Sequence, residues 1–420
     1  MKGKKVNGVG IWQTFMGKLN PKARRLEKTE ILNTNPVIFT AWNGGAYSND
    51  IYRGAVDAIA RNIAKLKGSH VIYGNGTTKK TDGDNVLNRL LQIQPNPYMT
   101  AYDFLYKMAT HYYLFNNSFA FLDKDDRGNV RAVFPITCTQ ADFLSDPTGA
   151  LYVQFRFKNG NEVILPYSDI VHLRRNFNSD ELLGDSNEAL YPALELAHTE
   201  NEGIVNGIKT GATIRGILKY PNVLNEEILN ESRDKFISQY LDVSNNGGIV
   251  VTDGKSEYVP IENKPVSVDP EQTKATATKI YNYLGISEKI VNSTYNEEEW
   301  GAFFESVIEP FALLISTEFT RKVFTERELA FGNRIEFSSG AMIYASVKTK
   351  LEMIKELIPA SVLSVEMARE IMNLPPVTEG ETVLQTLNNV DATKANEYQL
   401  GEPAKEEEGG NNGDKVPNEK

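Results

Sequence analysis

The sequence predicts an α+β fold built from several units. Helical periodicity lies on both sides of the short β-rich segments of residues 118–165, and a small strand–helix–strand–strand insert lies between two helices. The 420 residues exceed the ~250–300 at which a single core stops growing. Two or more domains are therefore expected.

The N-terminal part is predicted to be an arm followed by helices. Residues 1–45 are basic and polar with weak periodicity, which indicates an arm. The segment SNDIYRGAVDAIARNIAKL then offers Ser48 and Asp50 as N-cap candidates and repeats apolar residues at helical spacing. Further helices are predicted at 86–91 and 102–114, and the prolines of QPNPYMT separate them.

The middle of the chain is predicted to be β-rich. Short, partly alternating segments occur at 118–122, 130–135, 151–157 and 162–165. Asn159-Gly160 lies where a two-residue hairpin turn would join the last two segments.

A second β-containing unit is predicted as an insert. A long helix ends at Gly211, and another helix covers 272–284. Between them, the pattern predicts a strand at 214–220, a helix at 225–241 and a hairpin formed by 248–251 and 258–261. Because two helices bracket the insert, we expect them to run side by side and to carry it at their far end.

The most informative stretch runs from Gly285 to Phe324. A polar loop, SEKIVNSTYNEEE, leads into a helix with an acidic first turn and one broad apolar face. The residues of this face are Trp300, Phe303, Phe304, Val307, Ile308, Phe311, Leu314, Ile315 and Phe319. Pro310 lacks a backbone N–H and clashes with the preceding turn, so the helix is predicted to bend there. A kinked core helix after an ordinary connecting loop remains an alternative.

The C-terminal part is predicted to be helical and then disordered. Two helices within 346–374 are separated by Pro359 and stopped by Pro375-Pro376. Residues 391–420 are polar and rich in Gly, Glu, Asn and Lys, which predicts a disordered tail.

Composition limits the possible functions. The formal net charge of −10 disfavours tight sequence-independent binding to nucleic acid, although it suits a surface that DNA slides past. No run approaches the ~20 apolar residues of a membrane span, and the basic N-terminus lacks the apolar segment of a secretory signal. We therefore expect no membrane contact, and synthesis and residence in a cytoplasm. The single Cys138 is expected to be a small buried side chain.

No catalytic, metal or cofactor signature is complete. Asp123, Asp125 and Gly128 resemble the start of a calcium loop, but Phe134 occupies the final acidic position, so a turn between strands is favoured. The glycine-rich run 74–79 lacks the phosphate-loop spacing, and the four histidines lack paired metal spacing. We expect no cofactor and no enzymatic activity. The alternatives are an enzyme acting on nucleic acid or cell-wall polymer, with a site near Asp123 and His172, and a monomeric protein-binding adaptor.

Several segments, taken in order, resemble the portal proteins of tailed bacteriophages of the siphophage type. DIYRGAVDAIARNIAKL resembles the first wing helix of that family. QPNPYMTAYDFLYKMATHYYLFNNSFAFL resembles the next segment, with Asn116-Asn117 where Gly-Asn is more usual, and DIVHLRRNFNSDELLGDSNEAL is similar to the strand and turn before the stem. YNYLGISEKIVNSTYNEEEWGAFFESVIEP resembles the second stem helix, tunnel loop and long helix with its late proline. SVLSVEMAREIMNLPPVTEGE resembles the crown.

The resemblance implies a division of the chain into the family's parts. These are an N-terminal arm at 1–45, a wing at 46–183, stem helices at 184–210 and 268–284, a β-α-β-β clip at 211–267, a tunnel loop at 285–297, a long kinked helix and wing return at 298–340, a helical crown at 341–390 and a tail at 391–420.

The resemblance also implies a function. The chain would form a ring of about twelve copies at the unique capsid vertex, through which double-stranded DNA is packaged and ejected. Implied partners are the large terminase, the head–tail connector, and the major capsid and scaffold proteins, in the virion and in the host cytoplasm during assembly. The expected DNA-facing residues of the tunnel loop are Ser287, Lys289, Asn292, Ser293, Thr294, Tyr295 and Asn296. Their hydrogen-bonding groups and one positive charge would touch passing phosphates without anchoring them.

Overall fold

A computed structural model describes most of the chain. The described residues are 30–31, 37–38, 46–74, 80–211, 216–219, 225–236, 257–260, 269–338, 347–360, 362–372 and 374. They fall into two compact units, Met1–Ala341 and Met342–Lys420. The predicted strand at 248–251, the tail at 391–420 and most of the arm at 1–45 lie outside the described residues.

Helices and strands are mixed, which confirms the predicted α+β class. The helices of the first unit are α1 (Asp50–Ile63), α2 (Asn85–Gln92), α3 (Ala101–Phe115), α4 (Tyr191–Gly211), α5 (Glu226–Phe236), α6 (Pro270–Leu284), α7 (Glu288–Val291), α8 (Glu297–Phe303), α9 (Glu309–Val323) and α10 (Glu326–Ala330). The second unit contains α11 (Val347–Leu357) and α12 (Val365–Ile371).

The strands form antiparallel sheets throughout the described residues. They are β1 (Glu30–Ile31), β2 (Val37–Ile38), β3 (Lys67–Tyr73), β4 (Lys80–Asp82), β5 (Asn117–Lys124), β6 (Val130–Ile136), β7 (Gln140–Ser145), β8 (Leu151–Arg156), β9 (Glu162–Pro166), β10 (Ile170–Arg174), β11 (Gly216–Lys219), β12 (Glu257–Pro260) and β13 (Asn333–Ser338). The sheet orders are β1-β7-β8-β9 with β2 also on β7, β10-β5-β6, β13-β3-β4 and β11-β12. Antiparallel sheets packed with helices are typical of the α+β class.

The five-stranded sheet and the β10-β5-β6 sheet share a core of aromatic and aliphatic side chains. Phe119 on β5 packs against Phe155 on β8, with ring centroids 5.2 Å apart and an edge-to-face arrangement. Phe143 on β7 is also fully buried in this cluster. Cys138 is 6% exposed there, and burial raises the pKa of its thiol to about 12, so the expected small buried side chain is confirmed.

The apolar faces of the predicted helices point into a second core. Helix α1 begins at the N-cap Asn49, whose side chain accepts the N–H of Tyr52, rather than at Ser48 or Asp50. Tyr52, Ile59 and Ile63 are fully buried. The Tyr52 hydroxyl donates to the Tyr113 carbonyl of α3 at 2.9 Å, so the two helices are joined by a buried hydrogen bond as well as by packing.

Helix α9 is covered by β13. The Thr320 hydroxyl accepts the N–H of Ile335 at 2.8 Å and donates to its carbonyl at 3.2 Å. The ring of Phe319 packs against those of Phe337 and Phe104, with centroid distances of 5.5 Å and 6.3 Å. The predicted apolar face is therefore a core face, since most of its members are buried and only Phe304 and Leu314 are half-buried.

The two helices that flank the insert are in contact. The Thr276 hydroxyl of α6 donates to Oε1 of Glu200 on α4 at 2.9 Å, and both side chains are buried. Within the insert, β12 pairs with β11, so that Gly216 lies opposite Pro260. Its predicted pairing with 248–251 lies outside the described residues.

One local prediction was wrong in detail, and part of the arm has structure that the sequence did not predict. The turn at Asn159-Gly160 is longer than two residues, because the Phe157 N–H donates to the Asn161 carbonyl across it at 2.9 Å. Part of the predicted arm is also strand, since Glu30–Ile31 and Val37–Ile38 both pair with β7.

Candidate functional site

The predicted tunnel loop, residues 285–297, begins where α6 ends at Gly285. Gly285 has φ +73°, and its N–H donates to the Asn282 carbonyl at 3.2 Å. The next N–H, that of Ile286, donates to Tyr281 at 3.0 Å. This is a left-handed helix end that favours glycine, and it turns the chain away from the helix axis.

The loop is anchored from its underside. Ile286 and Ile290 are buried, and Ile290 belongs to the one-turn helix α7 that Ser287 begins. The Thr294 N–H then donates to the Lys289 carbonyl at 2.9 Å, and Ser293 has φ +58°. The loop is therefore a folded segment rather than an open connection.

The single cation of the loop is already paired. The Lys289 ammonium contacts the Glu299 carboxylate. Glu299 also belongs to a capping box with Asn296, in which the Glu299 N–H donates to Asn296 Oδ1 at 2.8 Å and the Asn296 N–H donates to Glu299 Oε2 at 3.1 Å. The hydrogen bond from Lys289 and that from Asn296 lower the pKa of Glu299. The ion pair closes the loop onto the start of α8.

All seven predicted DNA-facing residues are exposed on this one loop. Tyr295 is 39% exposed, and its ring lies 5.2 Å from that of the buried Trp300. Lys289 and Asn296 are engaged within the chain, so the groups they present to a partner are fewer than the sequence suggested. Contact of the loop with DNA stays a prediction.

The long helix contains a wider, π-helical turn directly before Pro310. Between α8 and α9, residues Phe304–Ile308 form a π turn, and the Glu309 N–H donates to the Phe304 carbonyl five residues earlier. Pro310 lies in the first turn of α9, directly after the wide turn. A π turn relieves the clash that a proline ring makes with the preceding helical turn. The bend at Pro310 stays a prediction.

A polar hub contacts the end of α6, where the loop begins. We define the hub as Asn116, Asn117, Arg175, Gly184 and Asn187. Asn116 ends α3 with φ +53° and is completely buried. Its amide donates to the Asp185 carbonyl at 2.6 Å and to Asn187 Oδ1 at 2.8 Å. An asparagine tolerates the left-handed conformation at this helix end, where the family resemblance implies glycine.

The side-chain amide of Asn117 has a partner for each of its hydrogen-bonding groups. Its Nδ2 donates to the carbonyls of Phe115 and Gly184, and its Oδ1 accepts from the Gly184 N–H at 3.0 Å and from His172 Nε2 at 3.0 Å. A Cβ on Gly184 would lie 2.2 Å from the Arg175 carbonyl, so only glycine fits there. The close approach of these backbones explains the glycine that begins the GDSN turn.

The hub reaches the base of the loop through Tyr283, the penultimate residue of α6. Nη2 of Arg175 donates to the Tyr283 carbonyl at 2.9 Å, and the Tyr283 hydroxyl donates to Asn187 Oδ1 at 2.7 Å. The position of Gly285 and of the loop is thus tied to β10 and to the start of α4. Sequence reasoning quoted these residues only as part of the family resemblance and did not foresee their contacts.

His172 and Asp123 do not form a catalytic site. His172 is 2% exposed, its ring stacks on Phe119 at 4.2 Å, and both ring nitrogens have partners, Asn117 and Tyr167. Burial lowers the pKa of His172 well below its usual range, so the imidazole is neutral. Asp123 is paired with Arg131 at 3.1 Å on the solvent side of β5. Both side chains are engaged by partners within the chain.

The described part of the chain shows neither a metal site nor a membrane-spanning helix. There, no group of three or more His, Cys, Asp or Glu side chains is arranged to hold a metal ion. None of the described helices combines the length and apolarity that a membrane span needs. What the described residues do present is an exposed loop anchored on a buried polar hub.

The comparisons with known proteins identify the family. The family model described as phage portal protein matches residues 51–373, and the chain belongs to that family. The portal protein of Enterobacteria phage HK97 is 20% identical over 342 residues, which cover 76% of this chain and 77% of that protein. The predicted resemblance is confirmed, and the enzyme alternative has no support.

Solved structures share the fold. A chain in the neck of an empty gene transfer agent (GTA) particle, computed with C6 symmetry, aligns with a TM-score of 0.60 at 16% identity and covers 82% of this chain and 96% of that chain. A chain in the neck of a native GTA particle, computed with C12 symmetry, aligns with a TM-score of 0.57 at 15% identity and covers 79% and 92%.

Proposed function

We propose that the chain forms a closed ring of about twelve copies at the unique capsid vertex and provides the channel for packaging and ejecting double-stranded DNA. The family match over residues 51–373 carries this proposal. The neighbouring fold in a virus-like neck computed with C12 symmetry supports the number of copies. A ring needs heterologous contacts, in which two different faces of the subunit meet.

The parts of the subunit are proposed as the sequence suggested. Residues 46–183 and 298–340 would form the wing, α4 and α6 the stem, and 211–267 the clip. The contact between α4 and α6 and the pairing of β11 with β12 support a two-helix stem that carries a small β-containing unit. Residues 341–390 would form the crown.

The 285–297 loop would line the channel and let DNA pass without holding it. Its exposed side chains are mainly neutral hydrogen-bonding groups, and its one ammonium group is neutralised by Glu299. Because tight phosphate binding depends on unpaired Lys and Arg, such a surface favours sliding.

The proposed partners follow from this position. The clip would dock the large terminase during packaging and the head–tail connector afterwards, and the wing would face the major capsid and scaffold proteins. The protein would act in the virion after assembly in the host cytoplasm. ATP hydrolysis would belong to the terminase, and the chain itself would have no catalytic step.

Electron microscopy tests the proposal. The purified full chain should appear in negative stain as rings with a central hole. Gold labelling of an affinity tag on the chain should mark one vertex per capsid in virions. Labels distributed over many vertices, or virions without any label, would exclude the proposed location.

A further inference from the structure

A cleft lies at the base of the 285–297 loop. It has a volume of about 270 Å³ and lies between the end of α6, the π turn and the C-terminal turns of α3. Three tyrosines and Phe311 supply its aromatic walls, and Ser306 and Pro310 form its exposed rim. Arg175 is the one ionisable cationic side chain among the residues that line it.

Arg175 is held in place by neutral groups. Its guanidinium lies 5.0 Å from the ring centroid of Tyr113 and 5.2 Å from that of Tyr283. It donates to the Tyr283 carbonyl at 2.9 Å and, at 3.4 Å, to Asn116 Oδ1. An arginine has five N–H donors, so these two bonds leave capacity for another acceptor.

Arg175 forms no ion pair with a carboxylate of the described residues. The nearby Asp185 is engaged by Ser179, whose N–H and hydroxyl both donate to Asp185 Oδ1. Asp180 accepts the backbone N–H groups of Leu182 and Leu183. A half-buried cation without a counter-charge is unfavourable, and an incoming carboxylate would correct it.

We propose that the cleft receives an Asp or Glu side chain from a neighbouring copy of the chain, whose carboxylate pairs with the Arg175 guanidinium. This inference rests on the proposed ring. The volume is below the ~300–1,000 Å³ of sites for small organic ligands, and duplex DNA cannot enter it. One carboxylate side chain fits within this volume and complements the charge.

A second copy is the occupant that the charges favour. The chain carries 55 acidic and 45 basic side chains, so neighbouring copies repel unless specific pairs offset the excess. Pairing at Arg175 would offset that repulsion at one position per interface. Because Arg175 also holds the Tyr283 carbonyl, the neighbour would be linked to the helix end that positions the loop.

Charge removal at Arg175 gives the first test. Arg175→Gln should raise the protein concentration needed for half-maximal ring formation at least about ten-fold, since one partner of a desolvated pair is lost. Arg174→Gln is the matched control, because Arg174 is also half-buried but lies over the Phe177 ring instead. Arg175→Lys keeps the charge and should recover part of the loss. Equal assembly of Arg175→Gln and the wild type would overturn the inference.

Photo-crosslinking gives a second test that leaves Arg175 intact. A benzophenone amino acid placed at the rim position Ser306 of the full chain should crosslink, within assembled rings, to a peptide of a second copy that contains Asp or Glu. Crosslinks only within one chain, or only to peptides without an acidic residue, would contradict the proposal. Retention of acetate by the isolated subunit, with no crosslink between copies, would also contradict it by identifying a small-anion site.

The two proposals fail in different ways. If the wild type forms no ring under any condition, both the proposed function and this inference are wrong. If rings form normally and neither the Arg175 variants nor the crosslinks show a contact at the cleft, only the inference is wrong.

Discussion

Replacing Asn116 tests whether the polar hub holds the helix end as described. Asn116→Ala removes the amide that donates to the Asp185 carbonyl at 2.6 Å, and it places a Cβ-bearing residue without a helpful side chain at φ +53°. A buried acceptor left without a donor costs ~1–3 kcal/mol, and the left-handed conformation costs ~1–2 kcal/mol. Asn187 Oδ1 also loses the Asn116 amide as a donor, but it still accepts from the Tyr283 hydroxyl, so this loss adds little to the cost in stability.

The expected loss of unfolding free energy for Asn116→Ala is therefore about 2–5 kcal/mol. Asn116→Gly loses the same hydrogen bonds but not the backbone penalty. After allowance for the greater freedom of glycine in the unfolded chain, ~0.4–1 kcal/mol, it should be the more stable variant by about 1 kcal/mol.

Thermal melting followed by tryptophan fluorescence gives the ranking of the purified proteins. The midpoints should fall in the order wild type, Asn116→Gly, Asn116→Ala. An alanine variant that melts with the wild type, or above the glycine variant, would refute the reasoning about the left-handed helix end. The ranking does not require two-state unfolding of a chain with more than one unit.

Three further predictions concern packing and pH. Gly184→Ala should give a low yield of soluble protein, since its Cβ would lie 2.2 Å from the Arg175 carbonyl oxygen. Gly301→Ala has open space around the new Cβ and should raise the melting temperature slightly, because alanine favours a helix more than glycine does. The pKa of Glu299 is lowered in the folded chain. The ionised carboxylate therefore adds to stability above the ordinary carboxyl pKa, and this stabilisation is lost as the pH falls through the lowered pKa of the folded chain. The difference in melting temperature between the wild type and Glu299→Gln should shrink between pH 6 and 3. Burial lowers the pKa of His111 to about 4, so the unfolded chain binds the proton more strongly and stability falls as pH drops from 6.5 towards 4. His111→Leu should flatten that dependence in a series of melts across this range.

Local features of the fold were predictable from spacing and caps. The predicted helix at 102–114 is observed as Ala101–Phe115, because Thr100 and Asp103 form a capping box and two prolines precede it. Strands joined by short turns, such as β8 and β9, were also predicted. These elements depend on neighbours in sequence, which a local pattern records.

Strands paired over long distances were missed. β3 pairs with β13, which lies far along the chain, so that Val71 is opposite Arg334. β13 was missed although residues 334–338 alternate between polar and apolar side chains. β7 was missed as well, although a short turn joins it to β8 and it lies inside its sheet. The pairing of β3 with β13 is decided by tertiary contacts, which weigh more than local strand propensity.

The exposure of the candidate loop was predictable from the sequence, but its contacts were not. The composition and position of the 285–297 loop indicated an exposed polar segment, which the structure has. The pairing of Lys289 with Glu299, the π turn before Pro310 and the contacts of Arg175 with Tyr283 depend on geometry across separate elements. Such contacts leave no period or spacing in the chain.

Native mass measurement of the assembled full chain tests the central claim most directly. The portal function predicts a closed particle of about twelve subunits, with discrete neighbouring stoichiometries if the isolated chain closes with one copy more or fewer. A monomer or dimer that persists at high protein concentration and in the presence of the scaffold protein would contradict the ring and, with it, the proposed channel.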